Sequence, residues 1–222
     1  MRVGVIVFPG SNCDRDLNSG FEDTNFISEF IWHKNDKLPD GLDVIAIPGG
    51  FSFGDYLRCG AIAANSPITA AIIKFAKKGG YVIGICNGFQ ILCETGLLPG
   101  ALVRNVGMRF ICRQEEIAVK TINSSFTRNF NKGQKILLPI AHHDGNYIAS
   151  QETIDELEDE ERAVFKYMNN PNGSLNDIAG ILSKNRRILG MMPHPERAIS
   201  DFHTNQQGRI IFESLFESLS TC

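Results

Sequence analysis

The sequence predicts an α/β fold: a mostly parallel central sheet held in three layers between helices, with a small antiparallel extension. Three features carry that reading. Apolar, β-branched runs recur without polar interruption, as strands buried on both faces do. Segments of helical period separate them, so the rhythm is βαβ and the sheet is doubly wound. From Ala101 to Ala141 the pattern changes to short strand-like pieces divided by turn residues, which marks the extension.

Residues 3–8 form the first buried strand, stopped by Pro9-Gly10. The run is too short, and too poor in small residues after it, for a signal peptide. Ser11-Asn12 is expected to cap a helix through Asp16, Leu17 and Phe21, with strands following at 26–32 and 43–47. Apolar residues at helical spacing predict a helix over 68–76, ended by Gly79-Gly80. A strand at 81–85 then runs into another helix that begins at or just beyond Cys86. Within the extension, strand pieces are expected at 101–103, 109–112, 117–122 and 135–140. An acidic helix over 152–162, strands at 178–182 and 188–191, and a last helix over 206–219 complete the chain. No repeat, low-complexity tract or linker divides residues 1–222, which read as a single domain.

Composition narrows the function classes. Hydrophobic residues make up 43% and charged residues 21%, ordinary for a soluble globular protein, and no stretch approaches the roughly 20 apolar residues of a membrane span. A net charge of −3 with no Lys/Arg cluster gives no electrostatic case for nucleic acid. Six cysteines without a C-x-x-C pair point to reduced thiols in a cytoplasmic setting rather than a disulfide framework or zinc ribbon.

Cys86 stands at the joint of strand and helix, flanked by Gly84 and Gly88. This G-x-nucleophile-x-G spacing fits a tight strand-to-helix elbow that lifts a side chain above the carboxyl edge of the sheet. The positive end of the helix there favours the thiolate, the reactive form, and the Asn87 N–H can face an oxyanion. A cysteine nucleophile working on an amide needs a base and a group to orient it. His194 and Glu196 supply both: the residue before Pro195 is driven extended, so side chains at 194 and 196 point to one side. Taken singly, a cysteine is more often a core residue and His-Pro-Glu more often an exposed turn. Their conjunction at two strand ends reverses that judgement. Pro48-Gly49-Gly50 after the third strand adds a loop whose N–H groups can turn toward a ligand, giving a second oxyanion donor; no phosphate-binding glycine motif is present.

The Pro-Gly-Gly loop, the Cys-x-Gly-x-Gln elbow and the late His-Pro-Glu, in that order, resemble the class I (triad) glutamine amidotransferases. Longer strings, residues 50–63, 84–92, 96–102 and 192–197, resemble the glutaminase subunits that serve purine biosynthesis. The resemblance implies a flavodoxin-like three-layer fold of the class I amidotransferase type. It implies that Cys86 forms a γ-glutamyl thioester, with His194 as acid and base, Glu196 as its orienter, and the Gly50 and Asn87 N–H groups as the oxyanion hole. Gln90, one turn along the helix from Cys86, is expected to contact bound glutamine, with Phe51, Arg109 and Phe110 as further substrate-binding positions. Partners implied are a large synthetase subunit, which would use ATP and Mg2+ on formylglycinamide ribonucleotide, and a small bridging subunit; this chain would hold no cofactor. One stretch departs from the family pattern: Ala141-His142-His143-Asp144-Gly145 stands where many relatives read Ala-His-Gly-Glu-Gly. Adjacent residues of a strand face opposite ways, so a metal site from His142, His143 and Asp144 is not expected. A cysteine peptidase or thioesterase on a similar sheet, or a silent regulatory module, remains an alternative reading.

Overall fold

The structure is a computed structural model that describes residues 1–221; Cys222 lies outside them. Strand β1 (Arg2–Val7) is followed by helix α1 (Asp14–Glu22), β2 (Ile27–Trp32) and β3 (Val44–Ile47). Beyond β3 come α2 (Pro67–Lys77), β4 (Tyr81–Ile85) and α3 (Asn87–Glu94). The extension contains β5 (Ala101–Val103), β6 (Ile111–Val119), β7 (Lys135–His142) and β8 (Asn146–Ile148). Last are α4 (Gln151–Asp159), β9 (Phe165–Tyr167), β10 (Ile178–Leu182), β11 (Ile188–Met191) and α5 (Arg209–Ser220). No helix among the described residues is long and apolar enough to cross a membrane.

Nine strands join in the order β2-β1-β3-β4-β11-β10-β9-β6-β7. The first five run parallel, and β10, β9, β6 and β7 continue the sheet antiparallel. β5 and β8 form a separate antiparallel pair. From β1 the chain winds outward to β2 and then back past β1 to β3, β4 and β11. Right-handed crossovers therefore place α1 on one face and α2 and α3 on the other. The point where winding reverses opens a crevice at the carboxyl ends of β1 and β3, the usual place for a ligand in such sheets.

The parallel strands are apolar because both faces are covered: every residue of β3 is buried, as are Val82, Ile83 and Ile85 of β4. Edge-to-face rings, Phe21 with Phe26 and Phe212 at 5.1 and 5.0 Å and Phe26 with Phe216 at 5.2 Å, tie α1 to α5, each pair contributing about 1 kcal/mol beyond its buried area. That matters for the site, because α1 begins at the catalytic edge.

Sequence and structure differ at three places. The two pieces expected at 109–112 and 117–122 are one strand, β6, whose polar centre at Arg113–Glu116 masks the alternation. β8 and β9, three residues each, are too short to show a period. Ser11-Asn12 does not cap α1: Ser11 Oγ turns back to accept the Phe8 N–H at 3.2 Å, and the helix starts one residue after Cys13.

Candidate active site

Cys86 occupies the elbow with φ 51° and ψ −105°, a region that side chains with a Cβ enter only under constraint. The constraint is the close approach of α3 to the sheet. A Cβ on Gly88 would fall 2.0 Å from the Ile47 carbonyl oxygen, and one on Gly84 2.6 Å from that of Gly88. Both glycines are thus required by contact between backbones, and Cys86 is held over the first, unbonded N–H groups of α3.

His194 and Glu196 leave β11 on a short turn, buried at 1% and 0% exposure. The ring Nδ1 and Glu196 Oε1 are 2.6 Å apart, a length typical of a charge-assisted bond. Burial disfavours the imidazolium, but attraction to Glu196 and to Cys86 outweighs it, and the His194 pKa is raised well above its ordinary value. Nε2 has no hydrogen-bond partner of normal length among the described residues, although the Cys86 and Cys13 sulfurs stand near enough to act on the ring. A loose nucleophile–base contact is common in sites without substrate. The extended stretch expected around Pro195 does not form: Pro195–Arg197 makes a 3-10 turn, and it is this turn that brings Glu196 to the His194 ring.

A narrow chamber of about 20 Å³ adjoins Cys86, bordered by Gly50, Phe51, Gln90 and His142. It meets an outer cleft of about 510 Å³ that includes Phe51, Phe110 and Arg104. Gly50 and Phe51 therefore border the chamber, and Phe110 faces the cleft, its ring 6.3 Å from that of Phe51. Arg109 lines neither space; its side chain is exposed and its carbonyl accepts from Asn105 Nδ2 at 2.9 Å. Gln90 borders the chamber with both ends of its amide engaged. Oε1 accepts from Asn87 Nδ2 at 2.8 Å, and Nε2 donates to the Asp144 carbonyl at 2.7 Å. Asn87 Oδ1 in turn accepts the Ser52 N–H at 3.2 Å, so two amides lock the elbow helix to the loops after β3 and β7.

Several site residues escaped the sequence reading. Cys13, to which the sequence assigned no role, has its Sγ 3.2 Å from Arg197 Nη2 and within 4.8 Å of ligating atoms of His194 and Glu196. That trio does not make a convincing cation site: Glu196 Oε1 is already held by the ring, and a guanidinium adjoins the sulfur. Asn105, fully buried, accepts the Gly145 N–H at 3.0 Å and donates to the His142 carbonyl at 3.0 Å, which fixes the departing His-His-Asp stretch. His142 is buried and His143 is partly exposed, in keeping with opposite faces. The turn at 170–174 braces the same stretch, Asn172 Nδ2 donating to the Gly145 carbonyl at 2.8 Å.

A cysteine on a strained elbow above a buried His–Glu pair, at the carboxyl edge of a doubly wound sheet, defines a hydrolase that works through a thioester. The chain belongs to the CobB/CobQ-like glutamine amidotransferase family, whose model matches residues 1–215; this sets aside the peptidase and thioesterase readings. It is 57% identical over 215 residues to the phosphoribosylformylglycinamidine synthase subunit PurQ of Ruegeria sp. (strain TM1040), covering 97% of each chain. It is 57% identical to the subunit of the same name from Cereibacter sphaeroides over 220 residues, 99% of each. Among solved structures, PurLQS from Thermotoga maritima contains a chain that matches with a TM-score of 0.91 and 42% identity, over 98% of both chains.

Proposed function

We propose that the chain, acting as one domain over residues 1–222, is the glutaminase subunit of phosphoribosylformylglycinamidine synthase. Cys86 Sγ attacks the carboxamide carbon of glutamine, and the oxyanion is met by the N–H groups of Asn87 and Gly50. His194 gives its proton to the departing nitrogen, releasing ammonia and leaving a γ-glutamyl thioester. Water, deprotonated by His194, then attacks the thioester; the sulfur leaves and glutamate is released. Glu196 holds the ring in one orientation and supports its positive charge. Gln90 and Phe51 shape the chamber, while Phe110 flanks the approach to it. Arg109 contributes through its backbone rather than its guanidinium.

Ammonia passes to a large synthetase subunit, which uses ATP and Mg2+ to convert formylglycinamide ribonucleotide to formylglycinamidine ribonucleotide. A small third subunit bridges the two, no cofactor is held in this chain, and the complex works in the cytoplasm. The buried His194–Glu196 pair beside the Cys86 elbow, in a chain alike to its relatives from end to end, supports this reading best. The test is reconstitution with the synthetase and small subunits. Glutamine-dependent, ATP-dependent product should form, glutamate release should rise on assembly, and Cys86→Ala should abolish synthesis from glutamine. Undiminished synthesis by the Cys86→Ala complex would overturn it.

A further inference from the structure

Folding gathers three arginines at the edge of the sheet opposite the elbow. A pocket of about 360 Å³ is bordered by Arg128, Arg186 and Arg187. It lies at the amino ends of two central strands: Tyr81, another of its walls, opens β4, and Arg187 precedes Ile188, the first residue of β11. Cys86 and His194 stand beyond the carboxyl ends of the same strands, roughly 15 Å away along a strand of this length. None of the residues bordering the pocket is acidic, and the hydroxyls of Tyr81 and Ser125, 3.1 Å apart, add neutral donors to its wall. The chain has a net charge of −3, and seven of its twelve arginines pair with a carboxylate. Arg128, Arg186 and Arg187 pair with none among the described residues. The carboxylates nearby are engaged elsewhere. Glu160 gives Arg186 its carbonyl while its side chain holds Arg162, Glu161 is bound by Lys132 and meets Arg186 only from further off, and Glu217 accepts from Asn129 Nδ2 at 3.0 Å. Two of the cations are also fixed in place. Arg186 donates Nη1 to the Asn123 carbonyl at 3.1 Å and Nη2 to that of Glu160 at 2.5 Å, from a turn that holds its backbone at φ 58°. Arg187 donates Nη1 to the Gly79 carbonyl at 2.6 Å and lies over the Tyr81 ring, 5.2 Å from its centre. Carbonyls orient a guanidinium without cancelling its charge, and each fork keeps further N–H groups for a ligand. Such forks match the oxygens of phosphate. Three cations suit one phosphate group and fall short of the roughly six to ten contacts of a nucleic-acid backbone. The volume falls within the range of about 300–1,000 Å³ usual for small-molecule sites, more than a phosphate alone would fill.

We infer that this pocket binds the phosphate group of a small metabolite, at a site separate from the one that takes glutamine. A bound anion joins the segment after β6, the β10–β11 turn and the start of β4, and so stabilises the folded chain in proportion to its concentration. The probes are inorganic phosphate and ribose 5-phosphate, added to the full chain at constant ionic strength and followed by calorimetric titration and thermal melts. Both should bind saturably with a Kd below about 1 mM and raise Tm. Tighter binding of ribose 5-phosphate assigns the site to a phosphomonoester and equal binding assigns it to the free ion; either result carries the proposal. Arg186→Gln and Arg187→Gln should each weaken binding by about tenfold or more, the weight of one bond to a charged group. Arg128→Gln gives up only two contacts of 3.5 Å with hydroxyls among the described residues. It should weaken binding as well, and it covers the case in which loss of the carbonyl bonds unfolds the other variants. Lys37→Gln, which removes an exposed cation between β2 and β3, should leave binding as it is. Absence of saturable binding, an affinity unmoved by the arginine variants, or an equal loss in Lys37→Gln would overturn the proposal.

Discussion

Gly88→Ala separates local propensity from tertiary constraint. On propensity alone, alanine in place of glycine favours a helix by up to about 1 kcal/mol. Gly88 is the second residue of α3, however, and its added Cβ would lie 2.0 Å from the Ile47 oxygen and 2.8 Å from the Ile47 carbonyl carbon. Both are backbone atoms of a strand buried on two faces, so neither can swing aside. Because contacts under 3.0 Å are essentially never seen for real Cβ atoms, α3 must move away from β3 by at least about 1 Å. Overpacking of this kind costs about 1–3 kcal/mol, which at least cancels the propensity gain and leaves a net loss of up to about 2 kcal/mol. For a chain of this size that lowers Tm by up to roughly 8 °C. The larger effect is on chemistry: Cys86 rides on the same elbow, and a displacement of ~1 Å from its partners costs on the order of a hundredfold in kcat. Gly96 supplies the control. It closes α3 at φ 70° with nothing within 4 Å of an added Cβ, so alanine there costs about 1–2 kcal/mol in the left-handed region without touching the elbow. Thermal melts and glutamate release by the assembled complex measure both. Comparable melting losses with kcat impaired only in Gly88→Ala are expected. A Gly88→Ala protein with raised Tm or wild-type kcat would refute the claim that backbone contact with β3 sets the elbow.

Glu196→Gln removes the charge 2.6 Å from the His194 ring and should lower kcat by about 10³–10⁴-fold, while the alkaline limb of the kcat/KM profile moves to lower pH; a limb that stays in place argues against charge support. His142→Asn tests a pH dependence of stability. Burial, aided by the charge of His194, holds the His142 pKa down to about 4, against ~6.5 in an unfolded chain. As pH falls from 6.5 to 4 the unfolded state takes up this proton first, so roughly 3 kcal/mol of stability, present above pH 6.5, is lost across that window. His194, with its raised pKa, adds a slope of opposite sign near pH 6.5, where the unfolded chain is only half protonated at this residue; wild type and variant share that contribution, so the comparison isolates His142. Urea unfolding of wild type and variant at pH 7 and pH 5 should show a shallower loss in the variant, and parallel losses would refute the assignment.

What was legible in the sequence is what short-range geometry encodes. Gly84 and Gly88 are needed because helix and strand backbones touch, a local rule that spacing displays; the closeness of His194 and Glu196 in sequence displayed their pairing too, although a tight turn and not extended backbone achieves it. Buried strands such as β3 and β4 were legible for the same reason, since covering both faces leaves an unbroken apolar run. Contacts that depend on how distant loops meet were not. Cys13 and Arg197 lie 184 positions apart in the chain, and nothing around Cys13 announces a histidine beside it. Asn105 reads as a loop asparagine until the strand carrying His142 is laid against it. Arg104 and Arg109 sit in one loop, and only the path of that loop decides that the first reaches the cleft while the second faces water.

The narrow chamber beside Cys86 borders a loop that a partner can reach. At about 20 Å³ it has room for little more than one water, so a substrate side chain has to approach Cys86 from the outer cleft that adjoins it. One wall is the loop after β3, where Phe53, Asp55 and Leu57 hold φ of 53°, 56° and 69°. Left-handed backbone at side-chain-bearing residues stores on the order of 1–3 kcal/mol each, which lowers the cost of leaving the resting shape. The same loop exposes Tyr56 at 75% and Leu57 at 93%, apolar surface that a docked subunit would remove from water. Contact with the loop can therefore shift it toward an open form by about as much as the strain it relieves and the area it buries.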